Sequence, residues 1–128
     1  MRAIERFLRE YWFAQRSIGH MMLDLGAAKA AAQCAAEVDG VAARAMAAQR
    51  QAEVKSIARR LAEERTLMAR IETALKDARL TEREREYVKL RYFENRSAEA
   101  VCQRMYISSA TGGRIRAAAL KKLSVHNG

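Results

Sequence analysis

Apolar residues recur along the chain at the three- and four-residue steps of an α-helix. Ile4, Phe7, Leu8, Tyr11, Ile18, Met22 and Leu25 fall near one stripe, with Arg and Glu opposite and Trp12 beside it. Residues 2 to about 25 therefore read as one amphipathic helix, which either packs on a second helix or docks a partner. Gly26 and the Asp39-Gly40 pair mark breakpoints in the N-terminal half. The Ala-rich run 27–38 between them has high helix propensity but little to bury. It is left open between a frayed helix and a mobile connection.

From about Val41 to Asp77 the pattern sharpens. Val54, Ile57, Leu61, Met68, Ile71 and Leu75 follow alternating three- and four-residue steps, broken at Glu64, as in a coiled-coil seam of about three heptads. A helix of this length, about 55 Å at the standard rise per residue, cannot bury its stripe alone. These six residues form the candidate oligomerisation set. A homodimer through the seam is the preferred reading, beside an antiparallel hairpin with the first helix, or both together.

Leu80 to Leu123 reads as three short helices, the last two a helix-turn-helix. Thr81-Glu82-Arg83-Glu84 is a capping box: the Thr hydroxyl accepts from the N3 amide, and Glu84 reaches back to the amide of Thr81. Ser97 and Ser108 can each cap a further helix, and Asn95 suits a left-handed C-terminal cap. Val88, Leu90, Tyr92, Phe93, Val101, Met105, Ile115, Leu120 and Leu123 supply helical-spaced core positions, with Ile107 plugging the turn. The aromatics Tyr87, Tyr92 and Phe93 belong to the core in this reading. The chain thus divides into 1–78, a helical oligomerisation region, and 79–128, a helix-turn-helix domain.

Composition supports the helices. The chain has no proline, and half its residues are apolar with alanine heavily used. Its formal charge is +9, and residues 95–128 carry six Lys/Arg against the single acid Glu99, which places +5 in that tail. A basic end that coincides with a helix-turn-helix points to nucleic acid rather than to a merely solvated face. Cys34 and Cys102 lack metal-type or CxxC spacing and read as free thiols of a reducing cytosol. The start, MRAIERFLRE, is too charged for a signal peptide, and Asp24, Lys29 and Gln33 interrupt the most apolar stretch, so no membrane partner is expected. His20 and His126 stand alone, with no nucleophile elbow, metal cluster or phosphate-cradling loop. Neither a catalytic site, a metal nor a cofactor is expected.

The segments TEREREYVKLRYFENRS, AVCQRMYIS and SSATGGRIRAAALKKL together resemble region four of bacterial sigma factors. The resemblance covers about the last third of the chain. With the long N-terminal helices read from periodicity, as hairpin or coiled coil, the expected fold is all-α and ends in a sigma-like helix-turn-helix. Val101 and Cys102 stand where that family has a buried aliphatic and then a small residue, needed because two helices cross closely. Tyr106 occupies the usual turn glycine, Gly112 the place of a buried valine, and Gly113 follows it. The glycine pair costs helix stability but offers close backbone approach to DNA or to a partner. The layout also resembles small phage transcription regulators of the RinA and ArpU type, implying a regulator of phage or prophage genes, with host RNA polymerase as a further partner.

In that frame Ser109, Thr111, Gly113 and Arg114 begin the recognition helix and face base edges in the major groove of double-stranded DNA. Arg116, Lys121 and Lys122 hold phosphates, as do Arg96 and Arg104 at the edge of the preceding helix. Two other classes compete with a transcription regulator. One is an adaptor whose head binds polymerase or another protein. The other is a DNA-recognition subunit of a phage packaging machine.

Overall fold

The computed structural model describes residues 2–127, and among these it is all-α, with five helices and no strand. In order they are α1 (Arg2–Ala36), α2 (Val41–Asp77), α3 (Glu82–Val88), α4 (Ala98–Met105) and α5 (Ser109–Asn127). A π-helical turn, Lys89–Phe93, prolongs α3. None of them is long and apolar enough to cross a membrane. The side chain of His126 lies outside the described residues.

The first helix does not stop at Gly26. It runs to Ala36, so the Ala-rich run is helix and not a connection. Two of its alanines, Ala28 and Ala32, are buried. Alanine has the best intrinsic helix propensity, which offsets the roughly 0.8–1 kcal/mol that an interior glycine costs. The real break lies at Gly40, whose φ of 121° is open to glycine and strained for other residues.

Backbone contacts gather the chain into two compact units, Gln15–Thr66 and Met1–Ala14 with Leu67–Gly128. In the first, α1 and α2 form an antiparallel hairpin, with Met21, Ala28, Ala32 and Leu61 buried. In the second, the three C-terminal helices pack with the start of α1 and the end of α2. A division at 78/79 does not coincide with these units, because Ile4 and Leu8 from α1 and Ile71, Leu75 and Ala78 from α2 belong to the core of the head. There they meet Leu80, Val88, Tyr92, Phe93, Ala119, Leu120 and Leu123. A smaller cluster of Tyr87, Leu90 and Val101, flanked by Met105 and Ile115, lies under the helix-turn-helix.

The seam residues find cover within the chain. Leu61, Ile71 and Leu75 are buried within their own chain, and Val54, Ile57 and Met68 are half-buried along the same stripe. The physical reason is that α1 supplies a complementary stripe in cis, which a heptad pattern alone does not exclude. Polar contacts reinforce the pairing in the head: Tyr11 stacks on Phe93 with ring centroids 4.0 Å apart, and its hydroxyl donates to Glu72 at 2.6 Å.

Helix ends follow the local chemistry. Thr81 and Glu84 form both halves of the capping box, with Thr81 N donating to Glu84 Oε1 at 2.8 Å and Glu84 N to Thr81 Oγ1 at 3.2 Å. Ser97 Oγ accepts from the Ala100 amide at 3.1 Å. Asn95 takes a left-handed conformation with φ 54°, as do Arg79 at the end of α2 (φ 51°) and Tyr106 (φ 57°). Tyr106 ends α4 in the position that favours glycine, with its side chain 95% exposed. That exposed ring gives the fold little in return for the backbone strain. Tyr106→Gly is therefore expected to raise the unfolding free energy by about 1 kcal/mol, read as a higher urea midpoint at unchanged slope.

Candidate nucleic-acid interface

The helix-turn-helix is built from a serine cap and a glycine contact. Ser108 Oγ accepts from the Thr111 amide at 3.1 Å, and its hydroxyl donates to Thr111 Oγ1 at 2.9 Å, which fixes the start of α5. One turn on, Gly112 is buried, and a Cβ built there would collide with Cys102 Sγ. The close backbone approach that Gly112 permits is thus to Cys102 of its own chain. Gly113 differs: it is exposed, and a Cβ on it would meet nothing within 4 Å. Only the first of the two glycines is required for packing.

The four residues placed at the start of the recognition helix do not share one face. Ser109 and Gly113 line a groove between α4 and α5 together with Glu99, Gln103 and Arg116. Thr111 and Arg114 line another between α3 and α5, with Arg83 and Ala118. Between these grooves runs the outward ridge of α5. Ala110, Ala117 and Lys121 are exposed on it, with Arg114 and Ala118, also exposed, at its edge on the α3 groove. Arg114 and Lys121 are seven residues apart, two helical turns, and so project from one side.

The basic residues divide into two groups. Arg116 donates through Nη2 to Glu5 Oε1 at 2.7 Å, and Tyr92 donates its hydroxyl to Glu5 Oε2 at 3.1 Å. Lys122 Nζ lies 2.6 Å from Oε1 of the buried Glu84, which also holds the capping box. Arg96 Nε pairs with Glu94 at 3.0 Å. These three, expected on phosphates, each have an acid of the same chain as partner, and their side chains stay 39–40% exposed. The sequence hid two of these pairs because Glu5 reaches Arg116 across 111 positions and Glu84 reaches Lys122 across 38. Arg104, Lys121 and Arg114 are exposed and make no ion pair among the described residues, although Arg114 Nε reaches the carbonyl of Ala110 at 3.4 Å. Arg83, exposed in the capping-box segment, joins this group through its place beside Arg114. The signal for it was the capping box, which fixes where α3 begins.

The chain matches no protein-family model, curated protein or solved structure. Its electrostatics are nonetheless distinctive. The unit that carries the helix-turn-helix holds sixteen Lys/Arg against nine Asp/Glu, or +7 of the chain's +9.

Both internal pairs make stability depend on acid. Burial alone would raise the Glu84 pKa, but hydrogen bonds from Lys122 and Thr81 outweigh it and hold the carboxyl below its ordinary 4.5. Glu5 behaves alike: burial opposes, and Arg116 and Tyr92 prevail. Burial and the Glu5 carboxylate push the Tyr92 phenol up to about 12, so it remains a donor at neutral pH. A carboxylate whose pKa is lower in the folded state contributes stability above its unfolded pKa and loses it as pH falls through the folded one. The melting temperature is therefore expected to fall as pH drops below 4.5, and Glu84→Gln to flatten part of that fall in a pH series.

Proposed function

We propose that the chain is a sequence-specific DNA-binding transcription regulator that reads duplex DNA with the outward ridge of α5. The observation that carries this reading is the ridge itself: Arg114 and Lys121 stand without acidic partners among the small side chains Ala110, Ala117 and Ala118. A helix so lightly clad fits the roughly 12 Å wide major groove closely. There Arg114 has the reach and the forked donors for guanine O6 and N7, and alanine methyls suit thymine methyls. Lys121, Arg104 and Arg83 hold phosphates, which fixes register without specifying sequence. Arg116, Lys122 and Arg96 are instead paired with Glu5, Glu84 and Glu94.

The division of labour is testable by competition. Arg114→Ala is expected to lose about 1–3 kcal/mol of discrimination between a preferred site and a scrambled one. Lys121→Ala should instead weaken both sites alike. Equal loss of both sites in Arg114→Ala would remove that residue from base reading. One observation favours a second reading, an adaptor whose head binds polymerase or another protein: the fully presented ring of Tyr106. Tyr106→Ala separates the two, since DNA affinity should survive it and an adaptor's protein affinity should not.

A further inference from the structure

We infer that the groove between α4 and α5 is a binding site for a small organic cation, an amine joined to a compact hydroxylated ring, with Glu99 at the rim and the Tyr87 hydroxyl at the floor. The groove encloses about 610 Å³, within the roughly 300–1,000 Å³ of small-molecule sites. The floor carries the first observation. Tyr87 is 1% exposed, and its ring belongs to the core under the helix-turn-helix. Its hydroxyl makes no hydrogen bond among the described residues. Every side-chain oxygen or nitrogen sealed from solvent there has a partner, so this hydroxyl is not sealed and opens onto the groove that Tyr87 lines. Burial, with Cys102 beside it, pushes the phenol above its ordinary pKa, so at neutral pH it can donate as well as accept. A phenol held in the core without a partner is a vacancy that a ligand's polar atom can fill. Cys102 and Ile107 give the walls an apolar character suited to a ring.

The rim selects the charge of the ligand. Two charged side chains line the groove, Glu99 and Arg116. Arg116 is already held by Glu5 at 2.7 Å, so that pair cancels. Glu99 is exposed and makes no ion pair among the described residues. The one basic residue of α4, Arg104, lies five residues beyond Glu99, about 140° round the helix, and does not line the groove. Arg96, just ahead of α4, is paired with Glu94. An anion entering here, a DNA phosphate included, would meet an uncompensated carboxylate, whereas a cation would neutralise it. Gln103 on α4 and Ser109 on α5 add hydrogen-bonding groups at the same rim. Gly113 leaves the α5 wall open, since a Cβ there would meet nothing within 4 Å.

The site is independent of DNA reading. A chain that takes the amine but no DNA would sink only the proposed function, and one that reads DNA but takes no amine only this site. The test is an amide chemical-shift titration of the full chain with tyramine as the probe. Tyrosol, which replaces its amine by a neutral hydroxyl, and phenethylamine, which lacks its ring hydroxyl, are the comparisons. The expected result is shifts centred on Ala98, Cys102, Ile107 and Gly113, with tyramine bound about tenfold more tightly than tyrosol. That margin should vanish in Glu99→Gln, a change at an exposed position that leaves the core untouched. In Tyr87→Phe, checked for folding by circular dichroism, tyramine should bind no better than phenethylamine. The inference is overturned by an absence of shifts at millimolar probe, by shifts centred elsewhere, by equal affinity for tyramine and tyrosol, or by a margin that survives Glu99→Gln.

Discussion

Leu8→Ala is expected to lower the unfolding free energy by about 2–5 kcal/mol, although it lies more than seventy residues before the helix-turn-helix. Leu8 is fully buried, in a cluster with Ile4, Ile71, Leu75, Tyr92, Leu120 and Leu123. Truncation removes three carbons from a packed site and leaves a cavity whose walls come from four separate segments, which limits collapse. Against a typical domain stability of about 5–15 kcal/mol, such a loss leaves the head near its threshold. The comparison is Leu23→Ala, at a residue 75% exposed, where a change within about 0.5 kcal/mol is expected. Urea denaturation followed by circular dichroism reads both. A neutral Leu8→Ala would mean that the start of α1 does not complete the head.

Gly112→Val carries the second large effect. Restoring the bulk that the sigma-like pattern has there should destabilise the head by about 1–3 kcal/mol, despite the better helix propensity of valine. The first atom added already collides with Cys102 Sγ, and further growth meets Ile107 and Tyr87, whose atoms lie 3.7 and 3.8 Å from that Cβ. The obstacle is identified, so the loss should be partly recovered in the double variant Gly112→Val with Cys102→Ala. A coupling of about 0.5–3 kcal/mol between the two sites is the expected signature. Gly113→Ala is the internal control. Its Cβ meets open space, and it should gain about 0.8–1 kcal/mol from helix propensity. Neighbouring glycines thus give opposite signs under one measurement.

Local rules made much of this fold legible. The capping box, the Ser97 and Ser108 caps, the left-handed Asn95 and the buried Val101, Tyr87, Tyr92 and Phe93 all rest on residues within one or two turns of each other. What escaped the sequence was long-range. The stripe from Val54 to Leu75 specifies that something covers it, and the same pattern serves a second chain or α1 equally well. Lys and Arg look alike in a one-dimensional count, so nothing local told the internally paired Arg116 and Lys122 from the unpaired Lys121. Gly112 was visible as a departure, but its reason, the nearness of Cys102 Sγ, needed the crossing of α4 and α5. The ridge of small residues could have been read from the three- and four-residue spacing of Ala110, Arg114, Ala117 and Lys121.

The claim that α5 reads DNA is tested most directly by titrating fragments from the gene's own neighbourhood at several salt concentrations, wild type beside Arg114→Ala, with a scrambled competitor. With Arg83, Arg104 and Lys121 on phosphates, the logarithm of the affinity should fall against the logarithm of salt with a slope of about −3. One fragment should be preferred, and the preference should vanish in Arg114→Ala while the slope persists. No binding at low salt from the folded protein, or a salt-dependent binding that ranks all fragments equally, would contradict the account.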